Sequence, residues 1–251
     1  MDNNNIDLNV LPLITNEEGT NLKIPIHPNL PNLKKGFVIA LIGNRNCGKT
    51  TLYTNLLLNP NMLNRENYDN AFIISPTIYN DRSAKHLRDA FKGSLYDKYN
   101  DGIVGDIVEY QQAFSDEDKP RSILIIDDSV GFKTNKLNYL ATRSRHNNLN
   151  LIFSVQQTKA IKKVVRNNLT DVFIFKTKNK KELQDIYEEW GAMYGSYDEF
   201  LKMYKYATKE PYNFLYLKLE SNPQKAFKNF SEDITQKNYD DLNPFNNLNP
   251  E

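Results

Sequence analysis

The densest chemistry in the chain lies in GNRNCGKT, positions 43–50. The spacing is G-x-x-x-x-G-K-[ST]. Its glycines let the backbone turn sharply and aim successive N–H groups at anionic oxygens. A helix starting at the end of such a turn adds its positive dipole end. Lys49 is then placed to reach the β- and γ-phosphates of a nucleoside triphosphate, and Thr50 to offer its hydroxyl to Mg²⁺. The candidate nucleotide-binding set is Gly43, Asn44, Arg45, Asn46, Cys47, Gly48, Lys49, Thr50 and Thr51. Arg45 and Cys47 fill variable positions and read as spacers. A sharper reading puts the Cys47 thiol beside the phosphates, where ATP would protect it from alkylation.

A second group is ILIIDD, positions 123–128, four apolar residues followed by two acids. Asp127 is expected to hold Mg²⁺ through water, and Asp128 to orient and deprotonate an attacking water. Two carboxylates beside one phosphate site make sense with a metal that offsets their repulsion. A third group is LIFSVQQ, positions 151–157, with Ser154, Gln156 and Gln157 at the carboxyl end of an apolar run. Gln156 is the candidate sensor of the γ-phosphate or of the attacking water. Gln156 and Gln157 face opposite ways by strand alternation. RSRHNN (143–148) and KAIKKVVRNN (159–168) flank this run. A planar guanidinium supplied across a subunit boundary can bridge phosphate oxygens as charge develops. Arg145 is the first candidate for that role, with Arg143 and Arg166 beside it. His27, His86 and His146 have no Cys/His partners at zinc spacing.

These side chains require buried strands to carry them. Continuous apolar runs predict strands over 37–43, 71–77, 122–128, 149–156 and 171–177. A sixth run, 213–220, alternates as an edge strand does. Helical spacing falls between them, over 50–58, 81–91, 137–145, 158–165, 181–190 and 197–206. Strands alternating with helices predict an α/β fold with a mostly parallel sheet covered on both faces. Residues 1–33 read as an N-terminal arm and lead-in, 34–221 as the nucleotide-binding domain, and 222–251 as a flexible C-terminal tail.

Composition sets the outer limits. Hydrophobic residues make up 39% of the 251, enough for a core, and charged residues 25%. Mean hydropathy is −0.64 and no apolar run is long enough to span a membrane, so no membrane insertion is expected. The opening MDNNNIDLNV lacks the basic and apolar regions of a signal peptide. With a single cysteine no internal disulfide forms, and a reducing compartment is expected. The 34 asparagines fit an AT-rich genome better than any structural demand. Net charge is only +1, yet residues 131–181 hold 12 Lys/Arg against one acid, Asp171. Local fields of this kind attract polyanions.

GNRNCGKT, IISPT (73–77), ILIIDD, RSRHNNLNLIFSVQQ and VVRNN occur in that order. This resembles the viral DNA-packaging ATPases of the FtsK–HerA superfamily, the poxvirus-type packaging ATPases of large DNA viruses, virophages and related transposons. The similarity covers about 34–177. It implies a P-loop NTPase of the ASCE/RecA-like type, a three-layer sandwich in which the Gln-ended strand sits between the phosphate-loop and acidic strands. It implies ATP hydrolysis with Mg²⁺ at the subunit interfaces of a ring of five or six copies. The work would be translocation of double-stranded DNA into a preformed capsid. The partners would be the DNA, further copies of the chain, and capsid or portal-vertex proteins. The implied locations are the viral factory in the host cytoplasm and the virion. By motif, Lys49, Asp128 and Gln156 are catalytic, and Thr50 and Asp127 hold the metal. Many relatives outside the viral branch end the acidic strand Asp-Glu, where this chain has Asp-Asp. The alternatives are a conjugation or plasmid-mobilisation pump of the same superfamily, a small-molecule P-loop kinase, and a nucleotide-binding scaffold with little turnover.

Overall fold

The computed structural model describes residues 21–91, 93–128, 134–237 and 239. The apolar runs become strands. In chain order these are β1 (Val38–Ile42), β2 (Asn70–Ile74), β3 (Leu95–Tyr96), β4 (Ser122–Asp127), β5 (Leu149–Val155), β6 (Asp171–Phe175), β7 (Phe214–Lys218), β8 (Lys225–Lys228) and β9 (Glu232–Asp233). The α-helices are α1 (Lys49–Leu58), α2 (Lys85–Ala90), α3 (Asp101–Gln112), α4 (Asn135–Arg143), α5 (Lys163–Arg166), α6 (Lys180–Ile186) and α7 (Tyr197–Ala207).

Among the described residues the nine strands join one sheet, in the order β3-β2-β4-β5-β1-β6-β7-β8-β9. From β3 to β6 every pairing is parallel, and from β6 to β9 every pairing is antiparallel. The Gln-ended strand β5 lies between the phosphate-loop strand β1 and the acidic strand β4, as the resemblance implies. Alternation along β1 divides the core. Val38, Ala40 and Ile42 pack with residues of α3 to α7, including Ile107, Leu140, Val165, Ile186 and Met203. Ile39 and Leu41 pack on the other face with Leu52, Leu56 and Leu57 of α1 and Leu87 of α2. The result is three layers, with helices on both faces of the sheet. Each fully buried leucine such as Leu56 contributes about 1.5–3 kcal/mol by leaving water.

Several expectations are corrected. Strand β7 is interior, because β8 pairs with it antiparallel from Leu215↔Lys228 to Lys218↔Lys225. The segment read as a tail from 222 therefore continues the sheet through β9, and Ala226, Phe227 and Ile234 are buried. Residues 240–251 of that tail, and residues 1–20 of the arm, lie outside the described residues. The lead-in is packed on the sheet: Leu30 and Leu33 are buried, and Lys218 Nζ donates to the Pro28 and Leu30 carbonyls at 2.6 and 2.8 Å. The helix expected over 158–165 is instead a 3₁₀ turn, Thr158–Ala160, followed by the short α5. Glu182 Oε1 captures both the N–H and the hydroxyl of Thr158, and buried Ile161 takes an extended conformation. Helix α3 was not expected from the spacing.

Candidate functional site

The phosphate loop joins β1 to α1, on the carboxyl side of the sheet. A Cβ at Gly43 would lie 2.6 Å from Cys47 Sγ and 2.7 Å from Phe175 Cβ, so only glycine lets the loop fold back on itself. Gly48 has φ 107° and Asn46 φ 60°, which alternates the backbone hand and turns N–H groups inward. Helix α1 has no side-chain cap, and Leu52 N–H to Gly48 O at 2.8 Å closes its first turn. The first N–H groups of a helix have no carbonyl partner within it and suit an anion. Lys49 is buried, and its Nζ donates to the Gly43 and Asn44 carbonyls at 2.6 and 3.0 Å. It thus rests on neutral acceptors, weaker partners than a charged phosphate oxygen.

The acidic pair is held in two different ways. Asp127 is 4% exposed, and its Oδ2 accepts from Tyr53 OH at 3.1 Å and Ser75 Oγ at 3.0 Å. Burial pushes its carboxyl up from the ordinary value, with the hydroxyls of Ser154, Ser75 and Tyr53 opposing the shift. Asp128 has φ 43°, and its N–H donates to Ser154 O at 2.9 Å. Gln156 Nε2 lies 3.0 and 2.9 Å from the two Asp128 carboxylate oxygens. The expected sensor is therefore tied to the expected base within one chain. Gln157 is exposed and opens the 3₁₀ turn, while Ser154 is buried level with Asp127.

Arg45, Asn46, Cys47, Gly48, Lys49, Thr50 and Thr51 line a cleft of about 520 Å³ with Asp127 and Asp128. The structure thus brings Lys49, Thr50, Asp127 and Asp128 to one cavity. The oxygen donors of Thr50 and the two carboxylates suit a hard cation such as Mg²⁺. Among the described residues no group of three or more His, Cys, Asp or Glu is arranged to hold a metal unaided. Cys47 packs against Gly43, and burial pushes its thiol up, with Lys49 opposing.

The arginines lie elsewhere. Arg145 precedes β5, at the amino end of the strand, and pairs with Glu220. The Arg143 guanidinium sits 5.3 Å from the centre of its own helix's Tyr139 ring. Arg166 is held by the Ile161 carbonyl at 2.6 Å and by Glu189 at 3.1 Å. None of the three lines the cleft of its own chain.

Sequence reasoning missed Tyr53, Ser75, Thr77, Asn80, Asp81 and Tyr212, all at Asp127 or on the cleft wall. Ser75 and Thr77 carried a usable signal, polar residues just after a buried strand, the same pattern that singled out Gln156. Nothing local marks Tyr212.

The basic segment is partly compensated. Arg145, Lys159 and Arg166 pair with Glu220, Asp185 and Glu189, acids outside it. Lys133 lies outside the described residues. Lys136, Lys163, Lys176, Lys178, Lys180 and Lys181 are exposed. They follow the carboxyl ends of β4, β5 and β6, the end of the sheet that carries the phosphate loop. No helix among the described residues is long and apolar enough to cross a membrane.

The family model for the Poxvirus A32 protein matches residues 29–205. Protein 075L of Invertebrate iridescent virus 6, itself uncharacterised, is 27% identical over 193 residues, 74% of this chain and 72% of that protein. Protein 088R of Invertebrate iridescent virus 3 is 25% identical over 203 residues, 76% of this chain and 74% of that protein. The genome packaging NTPase B204 of Sulfolobus turreted icosahedral virus 2, solved with AMP, shares the fold. Its TM-score is 0.57 at 20% identity, over 78% of this chain and 97% of that one. The same protein with ATP-gammaS gives a TM-score of 0.55 at 18% identity, over 78% and 98%.

Proposed function

The chain belongs to the Poxvirus A32 protein family, and from that premise we propose that it is an ATPase that pumps double-stranded DNA into a viral capsid. The observation that carries this reading is the meeting of Lys49, Thr50, Asp127 and Asp128 on one cleft, with Gln156 bound to Asp128. Lys49 exchanges its two loop carbonyls for phosphate oxygens when ATP enters, and the open end of α1 faces the same anion. Mg²⁺ bound with the nucleotide neutralises phosphate charge, and Thr50 and Asp127 are the residues that would hold it. Asp128 takes the proton of the attacking water. Gln156 fixes the direction in which that carboxylate points and so couples strand β5 to the state of the site. B204 is named as a genome packaging NTPase, which supports the same work here.

The DNA contact follows from charge. The exposed lysines after β4, β5 and β6 share the sheet end of the nucleotide, so a change at the cleft can reach them over a short path. Lysine–phosphate contacts are blind to sequence and sensitive to salt, as a motor that moves every sequence requires. The chain acts as a ring of five or six copies at a capsid vertex, assembled where virions form in the host cytoplasm. Arg145 reaches a neighbour's cleft in that ring after giving up Glu220. The test is steady-state ATP hydrolysis with and without double-stranded DNA of unrelated sequences. Stimulation by every sequence, lost steeply as salt rises, is expected. Turnover indifferent to DNA would reject the translocase reading.

A further inference from the structure

We propose that Glu182 is the positioning residue that carries the state of the nucleotide site from Gln156 to helix α6; this rests on the ATPase reading above. Gln156 is the side chain bound to Asp128, and Thr158 follows it with only Gln157 between them. Glu182 Oε1 accepts from the Thr158 N–H at 2.6 Å and from the Thr158 hydroxyl at 2.5 Å. Thr158 is 1% and Glu182 6% exposed. Separating them would strand buried polar groups without partners, so the backbone after β5 and the first turn of α6 move as one piece. Strand β5 itself is clamped between β1 and β4. A change at Gln156 is therefore passed on beyond Val155, where the strand ends and the turn Thr158–Ala160 begins.

The tie is repeated down the helix. Asp185 pairs with Lys159 at 2.8 Å. Glu189, in the turn Tyr187–Gly191 that continues α6, pairs with Arg166 at 3.1 Å. Their spacing puts Glu182, Asp185 and Glu189 on one side of the helix, and that side is turned to the segment leaving β5. The first turn of α6 carries Lys180 and Lys181, both exposed. A positive side chain there opposes the helix dipole, so the stability of α6 does not account for them. On a DNA motor they are contacts whose position follows the nucleotide.

The only tryptophan of the chain, Trp190, is buried in the turn that continues α6 and reports on its setting. The experiment follows Trp190 fluorescence in wild type, Glu182→Ala and Glu182→Gln as MgADP or the non-hydrolysable MgAMPPNP is added, with binding measured separately by calorimetry. Wild type is expected to show a change with MgAMPPNP that MgADP does not produce, because only the triphosphate brings a γ-phosphate to Asp128 and Gln156. Glu182→Ala should bind both nucleotides as wild type does and lose that change. Glu182→Gln, whose amide oxygen still accepts from Thr158, should restore it. A brace with no part in coupling would leave the response of Glu182→Ala intact, and that result overturns the proposal, as does a nucleotide-bound wild type with no response. Thr158→Val keeps the N–H and drops the hydroxyl, so it should weaken the same response. It decides the question if Glu182→Ala does not fold, an undiminished response again overturning the proposal. Failure of the wild type to bind either nucleotide would instead remove the ATPase reading, and the coupling role with it.

Discussion

Asp127 and Asp128 stand side by side yet are prepared for different work. Asp127 is buried beneath three hydroxyls that favour its charged form, while burial favours the neutral one. Removing a hydroxyl should tip that balance. Ser75→Ala is expected to raise the Asp127 carboxyl further, so the acid limb of the kcat/KM profile moves to higher pH. An unmoved limb in a pH–rate series would separate Asp127 from turnover. Gln156→Ala should leave ATP affinity intact and lower kcat by about a hundredfold, because it releases the carboxylate proposed to aim the water. Single-turnover and binding measurements together check this. Lys49, Thr50, Asp127 and Asp128 were legible in the sequence because their spacing is local and their strands are plainly apolar. Tyr53 and Tyr212 were not. Tyr53 reaches Asp127 across 74 residues of chain, and Tyr212 meets Gly48 only once the sheet is folded.

The elements explain why the sheet is larger than its sequence pattern. Helix α3 is obscured by Gly102 and Gly105, yet Asn100 caps it at 2.7 Å and Val104, Ile107 and Gln111 form its buried face. The two-residue strand β3 is too short to show a period, and β8 is hidden among Asn, Pro and Lys. Periodicity found the five buried parallel strands because each is apolar on both faces. Phe227 in β8 is 2% exposed and stacks on Tyr216 at 5.5 Å. Phe227→Ala should cost about 3–5 kcal/mol, read from urea unfolding. Where β6 meets β7, Asp171 is buried and accepts from Thr170 at 2.5 Å and Tyr216 at 2.6 Å. Burial pushes its carboxyl from 3.8 up to about 6, against those hydrogen bonds. The folded chain therefore keeps this proton longer than the unfolded chain. Its contribution to stability is full below 3.8, falls as pH rises, and is gone above about 6. Unfolding free energies measured across that window should lose this slope in Asp171→Asn.

For the molecule as a whole, charge is arranged and not merely summed. A net +1 conceals a lysine-rich end of the sheet beside the phosphate loop. The basic segment was visible in the sequence. Its partial neutralisation by Asp185, Glu189 and Glu220 was not, since those acids arrive from later elements. On the proposed ring arrangement, in which Arg145 serves a neighbour's cleft, activity in mixtures of wild-type and Arg145→Ala copies should fall faster than the fraction of variant. A straight mixing line would confine Arg145 to its pairing with Glu220. The decisive measurement pairs MgATP binding with hydrolysis in the wild type, Lys49→Ala and Asp128→Asn. Wild type should bind and turn over, Lys49→Ala should do neither, and Asp128→Asn should bind normally without turnover. A wild-type chain with no affinity for MgATP, or an Asp128→Asn chain that hydrolyses it at the full rate, would contradict the chemistry assigned to this cleft.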